Sequence, residues 1–295
     1  MNAQNSQYGL SDQQLAELPT VFAKDVFKDQ VVLISGGGTG IGKATAALMA
    51  RLGATVAICG RDGERLENAA RFLRSLGGTV STHAMTIRDP EKVSELIDKV
   101  WTEHGRLDVL VNNAGGQFAQ AAIDISPKGW NAVIDTNLNG TFYMMQQAAR
   151  RWRDKNHPGN IVNIVAVIWR GLPQVAHTCA SRAGVIFFSK TAAIEWAPYN
   201  IRVNCLAPGT VSTDAFNFYS PQGQASFFQA NPMKKTGDVQ DIAQAVCYLA
   251  GPSGKYITGE VLNVDGGQQI WGDPWFKGRP EYFELDYKMS RLQDS

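Results

Sequence analysis

The chain has 295 residues, with 28 Lys and Arg against 27 Asp and Glu; 44% of its residues are hydrophobic and 19% charged. That suits one α/β domain or two small ones, and a formal net charge of +1 argues against nucleic-acid or membrane-surface binding through bulk charge. No apolar run approaches the ~20 residues that span a bilayer, and Cys59, Cys179, Cys205 and Cys247 form no CxxC pair, so free thiols in a reducing, cytoplasmic setting are expected, with no metal site.

Residues 1–25 read as a polar extension without the apolar core of a signal peptide. Within it Ser11 is placed to cap a short helix carrying Leu15 and Leu18. Val31-Val32-Leu33-Ile34 then reads as a buried first strand. It feeds Ser35-Gly36-Gly37-Gly38-Thr39-Gly40-Ile41-Gly42-Lys43, a glycine-rich turn into a helix with Ile41, Ala44, Ala47 and Leu48 on one face. Free N–H groups and the positive end of a helix dipole at such a turn favour a phosphate. The spacing Gly36-xxx-Gly40-x-Gly42 is a variant of the dinucleotide fingerprint, which alone is a weak signal.

Gly53 ends that helix, and residues 55–59 form the second strand. Asp62 caps a helix with Leu66, Ala69, Ala70, Leu73 and Leu76 on one face, stopped by Gly77; residues 79–85 form the third strand. Asp89-Pro90 opens the next helix, with a stripe of Val93, Leu96, Ile97 and Val100 and a stop at Gly105. Residues 109–111 are the fourth strand, and Ser126-Pro127 opens a helix expected to run unbroken to about residue 152. Residues 161–165, 201–206 and 261–264 read as strands, and 177–196 and 239–249 as helices. Alternating strands and helices, with strands apolar on both faces, predict a single doubly wound Rossmann-type α/β domain with a parallel sheet of about seven strands. Ligands in such folds bind beyond the C-terminal ends of the strands.

The residues at those ends carry the functional signal. After the fourth strand stands Asn112-Asn113-Ala114-Gly115-Gly116-Gln117-Phe118, and after the sixth Pro208-Gly209-Thr210-Val211-Ser212-Thr213; Ile201-Arg202-Val203-Asn204 and Asn263-Val264-Asp265-Gly266-Gly267 complete the set. Together with Gly36, Gly40 and Gly42 these resemble the short-chain dehydrogenase/reductase family over residues 28–268. The resemblance implies hydride transfer with a nicotinamide dinucleotide, held by Gly36, Thr39, Gly40, Ile41, Gly42, Thr86, Ile87, Asn113, Ala114, Gly115, Arg182, Pro208, Gly209, Val211 and Thr213. It implies a catalytic domain over 26–268, a substrate lid at 214–235 and a homotetramer paired through the helices at 126–152 and 177–196. After the second strand, where an NAD enzyme usually places an acidic residue, the chain has Ile58-Cys59-Gly60-Arg61; Arg61 suits the 2′-phosphate of NADP.

The catalytic machinery departs from the family. Its Tyr-xxx-Lys pair falls on Thr178 and Arg182, and its serine on Val165 or Ala166, while Asn137 matches the family asparagine. This pattern, with Gly115-Gly116-Gln117-Phe118, Lys128-Gly129-Trp130 and Val175-Ala176-His177-Thr178, resembles the trans-2-enoyl-CoA and 2,4-dienoyl-CoA reductase branch. Alcohol oxidation needs a base for the hydroxyl proton, whereas reduction of a conjugated thioester needs donors at the thioester oxygen. The catalytic candidates are Asn137, His177, Thr178 and Arg182, with His177 and Thr178 as donors; Trp169 and Arg170 are expected at the substrate mouth. Cys179 is expected to be packing, and Arg150, Arg151 and Arg153 to pair with a helix dipole rather than with coenzyme A. The aromatic lid suits an apolar acyl or isoprenoid substrate, and the aromatic tail over 269–295 is expected to pack on the domain or on a neighbouring subunit. An alcohol or aldehyde dehydrogenase acting on a terpenoid, and a dinucleotide-binding protein without catalysis, are the other two readings.

Overall fold

The computed structural model describes residues 8–271 apart from 215, 217, 218 and 220, and only the backbone of 222. The aromatic tail expected beyond 271, and Phe218 of the lid, lie outside the described residues. Seven strands, β1 (Val31–Ser35), β2 (Thr55–Gly60), β3 (Val80–Ala84), β4 (Val109–Asn112), β5 (Gly159–Ile164), β6 (Ile201–Pro208) and β7 (Val261–Val264), form one sheet in the order β3-β2-β1-β4-β5-β6-β7. Every pairing is parallel. Strand order reverses between β1 and β4, where Ser35 stands beside Asn112, and such a reversal opens a crevice at the strands' C-terminal ends.

Nine helices surround the sheet among the described residues: α1 (Asp12–Glu17), α2 (Gly40–Arg51), α3 (Gly63–Ser75), α4 (Pro90–His104), α5 (Pro127–Ile134), α6 (Thr141–Asp154), α7 (Ala176–Trp196), α8 (Pro221–Phe227) and α9 (Val239–Ala250). Alternation along β1 divides the core. Val32 and Ile34 pack with α2, α3 and α9, and Val31 and Leu33 pack with α4, α6 and α7. A fully buried aliphatic side chain such as Leu33 or Leu110 contributes roughly 1.5–3 kcal/mol. The caps follow the sequence: Asp62 and Asp89 accept from the N–H groups of Arg65 and Lys92, and Gly105 ends α4 in the left-handed conformation.

The helix expected to run unbroken from 126 to 152 is instead three pieces. Between α5 and α6 the chain widens into a π-helix over Asp135–Gly140. Hydroxyls explain the break: Thr136 and Thr141 donate to the carbonyls of Ala132 and Asn137, four residues back, and Arg88 also donates to the Ala132 carbonyl. The break brings Asn137 against the loop after β4, where it bonds the Gly116 backbone. Arg151 also differs from expectation, because its guanidinium makes two 2.7 Å hydrogen bonds to Asp98 and so ties α6 to α4.

From residue 8 on, the extension ahead of β1 is packed. Ser11 and Gln14 form a reciprocal capping box on α1, Leu15 is buried, and Arg51 donates to the carbonyls of Leu15 and Leu18. All four cysteines are unpaired, and among the described residues no helix is long and apolar enough to cross a membrane.

Candidate active site

A cavity of about 930 Å³ lies over the β1–β4 crevice, and most of the residues expected to hold a dinucleotide line it: Gly36, Thr39, Gly40, Ile41, Arg61, Thr86, Ile87, Asn113, Ala114, Gly115 and Thr213. Gly36 takes φ +68°, and a Cβ on Gly42 would collide with the Gly36 carbonyl, so the turn lies flat against α2. Asn113 clamps this turn, donating to the carbonyls of Ser35 and Gly36 at 3.1 and 3.2 Å. Ser35 Oγ in return accepts from the N–H groups of Asn113 and Ala114. Thr39 caps α2 without a side-chain bond, which leaves the first-turn N–H groups facing the cavity. A cradle without side chains, beside unsatisfied amides at a helix N-terminus, fits a pyrophosphate.

Gly42, Arg182, Pro208, Gly209 and Val211 do not line this cavity. Gly42 is buried beneath Gly36, Pro208 and Gly209 stay against β7 and Asp265, and Val211 bridges to Gly237. At the far end Arg61 is exposed and pairs with no described residue, while Asp62 is engaged by the Arg65 N–H and side chain. Arg65 and Arg88 line the same wall and were not picked out by sequence; their only signal was position after β2 and β3.

On the other side of Gly115 the catalytic candidates converge. Asn137 Oδ1 accepts from the Gly116 N–H and its Nδ2 donates to the Gly116 carbonyl, both at 3.0 Å. Arg182 is buried on α7, with its Nη2 against Gly115. It makes no hydrogen bond or ion pair to a described residue, and desolvation lowers its pKa to about 10, so it remains a cation at neutral pH. Thr178 lies one turn earlier on the same helix, also buried. Val165, buried, and Ala166, where the sequence motifs place the family serine, bring no hydroxyl.

His177 is fully buried at the start of α7, edge-on to Phe118 with ring centroids 4.5 Å apart. Its Nδ1 accepts from the Thr178 N–H at 2.8 Å, so the neutral ring carries its proton on Nε2. That Nε2 is buried; burial lowers the ring's pKa, and a backbone hydrogen bond at Phe118 works against the shift. Asn112, Asn163 and Ser189 form a buried hydrogen-bonded ladder from β4 through β5 to α7 that the sequence reading did not pick out. Trp169 and Arg170 line a separate cleft of about 270 Å³ with Leu172, Ala230 and Trp271.

This doubly wound sheet, glycine cradle and cavity define a nicotinamide-dinucleotide oxidoreductase. The family model described as "Enoyl-(Acyl carrier protein) reductase" matches residues 36–269, and the chain belongs to the short-chain dehydrogenase/reductase family. It is 36% identical over 251 residues to a protein of Bacillus subtilis named "Probable 2,4-dienoyl-CoA reductase", covering 83% of this chain and 98% of that one. It is also 36% identical over 242 residues to the 3-oxoacyl-(acyl-carrier-protein) reductase FabG of Thermotoga maritima, covering 82% and 98%. Among solved structures, the citronellol catabolism dehydrogenase AtuB of Pseudomonas aeruginosa superposes with a TM-score of 0.76 at 34% identity, covering 85% of this chain and 99% of that one.

Proposed function

We propose that the protein is an NADPH-dependent reductase of the conjugated double bond of an enoyl or dienoyl thioester. The observation that carries this reading is Arg182, a buried cation with no anionic partner among the described residues, one turn from Thr178 where the family has its phenol. A buried charge without a partner is costly. It is retained where an anion, or charge developing on an oxygen, completes it.

When bound, the nicotinamide supplies the hydride, which an enoyl thioester accepts at its β-carbon and a dienoyl thioester at its δ-carbon. Negative charge then moves to the thioester oxygen, and a proton reaches the α-carbon from a weak acid or water. Arg182 supplies positive charge near that oxygen. His177, neutral with its proton on Nε2, supplies a donor. Asn137 holds the Gly116 backbone and so the loop above the reacting atoms. No phenol stands at 178 to take a hydroxyl proton, and a threonine hydroxyl is too weak an acid to serve as that base.

NADP over NAD rests on Arg61 and the engaged Asp62. A cytoplasmic setting rests on the four unpaired thiols. A homotetramer paired through α5–α6 and α7 is supported by Phe187 and Ile194, 66% and 78% exposed one heptad apart on α7. A second reading, oxidation of an apolar alcohol or aldehyde such as a terpenoid, is favoured by the 34% identity to the citronellol protein. The test is turnover of enoyl thioesters and of terpenoid alcohols by one preparation, with NADP(H), followed at the nicotinamide absorbance.

A further inference from the structure

The aromatic segment after β6 and the N-terminal extension meet. Tyr8 packs against Phe216, its ring tilted 42° with centroids 5.2 Å apart, and its phenol donates to Gln224 Oε1 at 2.8 Å. Gln224, on α8, uses its amide N–H groups on the carbonyls of Phe216 and Tyr219, both at 3.0 Å. Phe216, buried, also packs on Phe227, which packs on Tyr219. At the other side of this cluster the Tyr219 phenol accepts from Gln117 Nε2 at 2.9 Å. Gln117 follows Gly116, whose backbone is held by Asn137. A continuous set of contacts thus runs from the start of the described chain, across the lid, to the loop over the candidate active site.

The extension is anchored well enough to act as a tether. Asp12 pairs with Lys43 of α2, Leu15 is buried, Arg51 holds two of its carbonyls, and Phe27 is buried in the core. Gly9, with φ +89°, passes so close to Asp214 that a Cβ would lie 3.3 Å from Asp214 Oδ1. Asp214 and Thr213 in turn line the dinucleotide cavity. The strap therefore reaches the lid at its root, beside the cofactor, and at its helix.

We infer that Tyr8 is a positioning residue for the substrate lid, and that the N-terminal strap sets how far the lid opens to an acyl chain. Removing the Tyr8 ring uncovers Phe216, and removing the phenol leaves Gln224 Oε1 without its donor. Either change loosens the lid while α1 and Leu15 keep the strap in place. A peripheral segment opens locally at lower cost than the sheet core, so loss of this contact is felt in the lid before it is felt in the sheet.

The test is hydrogen exchange on the full-length protein without ligand, comparing wild type, Tyr8→Phe and Tyr8→Ala. Exchange across residues 216–227 should rise several-fold in Tyr8→Ala and less in Tyr8→Phe, with the β1 and β4 amides unchanged. KM for an enoyl thioester should rise with kcat and NADPH affinity held. Lid exchange equal to wild type in both variants, or a rise spread evenly over the sheet, overturns the inference. The exchange measurement does not depend on the thioester reading. Raised lid exchange in a protein that reduces no thioester would refute the proposed substrate and leave the strap's role standing.

Discussion

Gly115 and Arg182 touch so closely that a Cβ on the first would collide with Nη2 of the second. The loop after β4 and the buried guanidinium therefore form one packed surface. Gly115→Ala should push the guanidinium off its position and lower turnover by about ten-fold or more, equivalent to about 1.4 kcal/mol at the transition state. Steady-state kinetics beside a melting curve checks this, since the fold should survive a displacement at the end of a flexible side chain.

Arg182 should trade stability for activity. Arg182→Ala should reduce turnover by about ten-fold or more, and Thr178→Val should cost less if Thr178 only supports the site. Arg182→Met, similar in length and without charge, should raise the melting temperature of the cofactor-free protein, because it removes a desolvated cation that no described group offsets. A lower melting temperature for Arg182→Met would show that the guanidinium is paired in solution.

The parts of this architecture visible in sequence were those written in periodicity and capping. Asp62, Asp89, Gly53 and Gly105 marked helix ends, and the apolar strands marked a buried parallel sheet. Side-chain-to-backbone bonds were not legible. Thr136 and Thr141 open the π-helix by competing for carbonyls, which a threonine in an otherwise regular helical pattern does not announce. Ser35 and the Asn112–Asn163–Ser189 ladder depend on partners far apart in sequence, and Tyr8 meets Gln224 across 216 positions. Arg182 was legible as a substitution for lysine, but its lack of a described partner follows only from the packing around α7.

Cofactor choice follows from the wall beyond β2. With Arg61 uncommitted and Asp62 occupied by Arg65, NADPH should bind at least about ten-fold more tightly than NADH. The preference should shrink in Arg61→Ala and weaken as salt is raised. Equal dissociation constants in the wild type at fixed ionic strength would remove Arg61 from the account.

Two histidines give stability a pH dependence of known sign. Burial holds His83 and His177 below the ordinary imidazole value of 6.5, so the unfolded chain takes up protons before the folded one. Their contribution is fully present above that value and is lost as pH falls through the lower folded values. Glu67, Asp89 and Asp98, held below the ordinary carboxylate range chiefly by hydrogen bonds, lose theirs only at more acid pH. The melting temperature should therefore fall between about pH 8 and about pH 5.5, and fall less in His83→Gln. A flat profile over that interval would contradict the burial of these rings.

The most direct test of the central claim is the paired turnover measurement on the wild-type protein: an enoyl thioester with NADPH against a primary terpenoid alcohol with NADP. The account predicts rapid thioester reduction and very slow alcohol oxidation, because Thr178 stands where a phenol would take the hydroxyl proton and Arg182 stands ready for charge on the thioester oxygen. Rapid alcohol oxidation with no thioester reduction would contradict it.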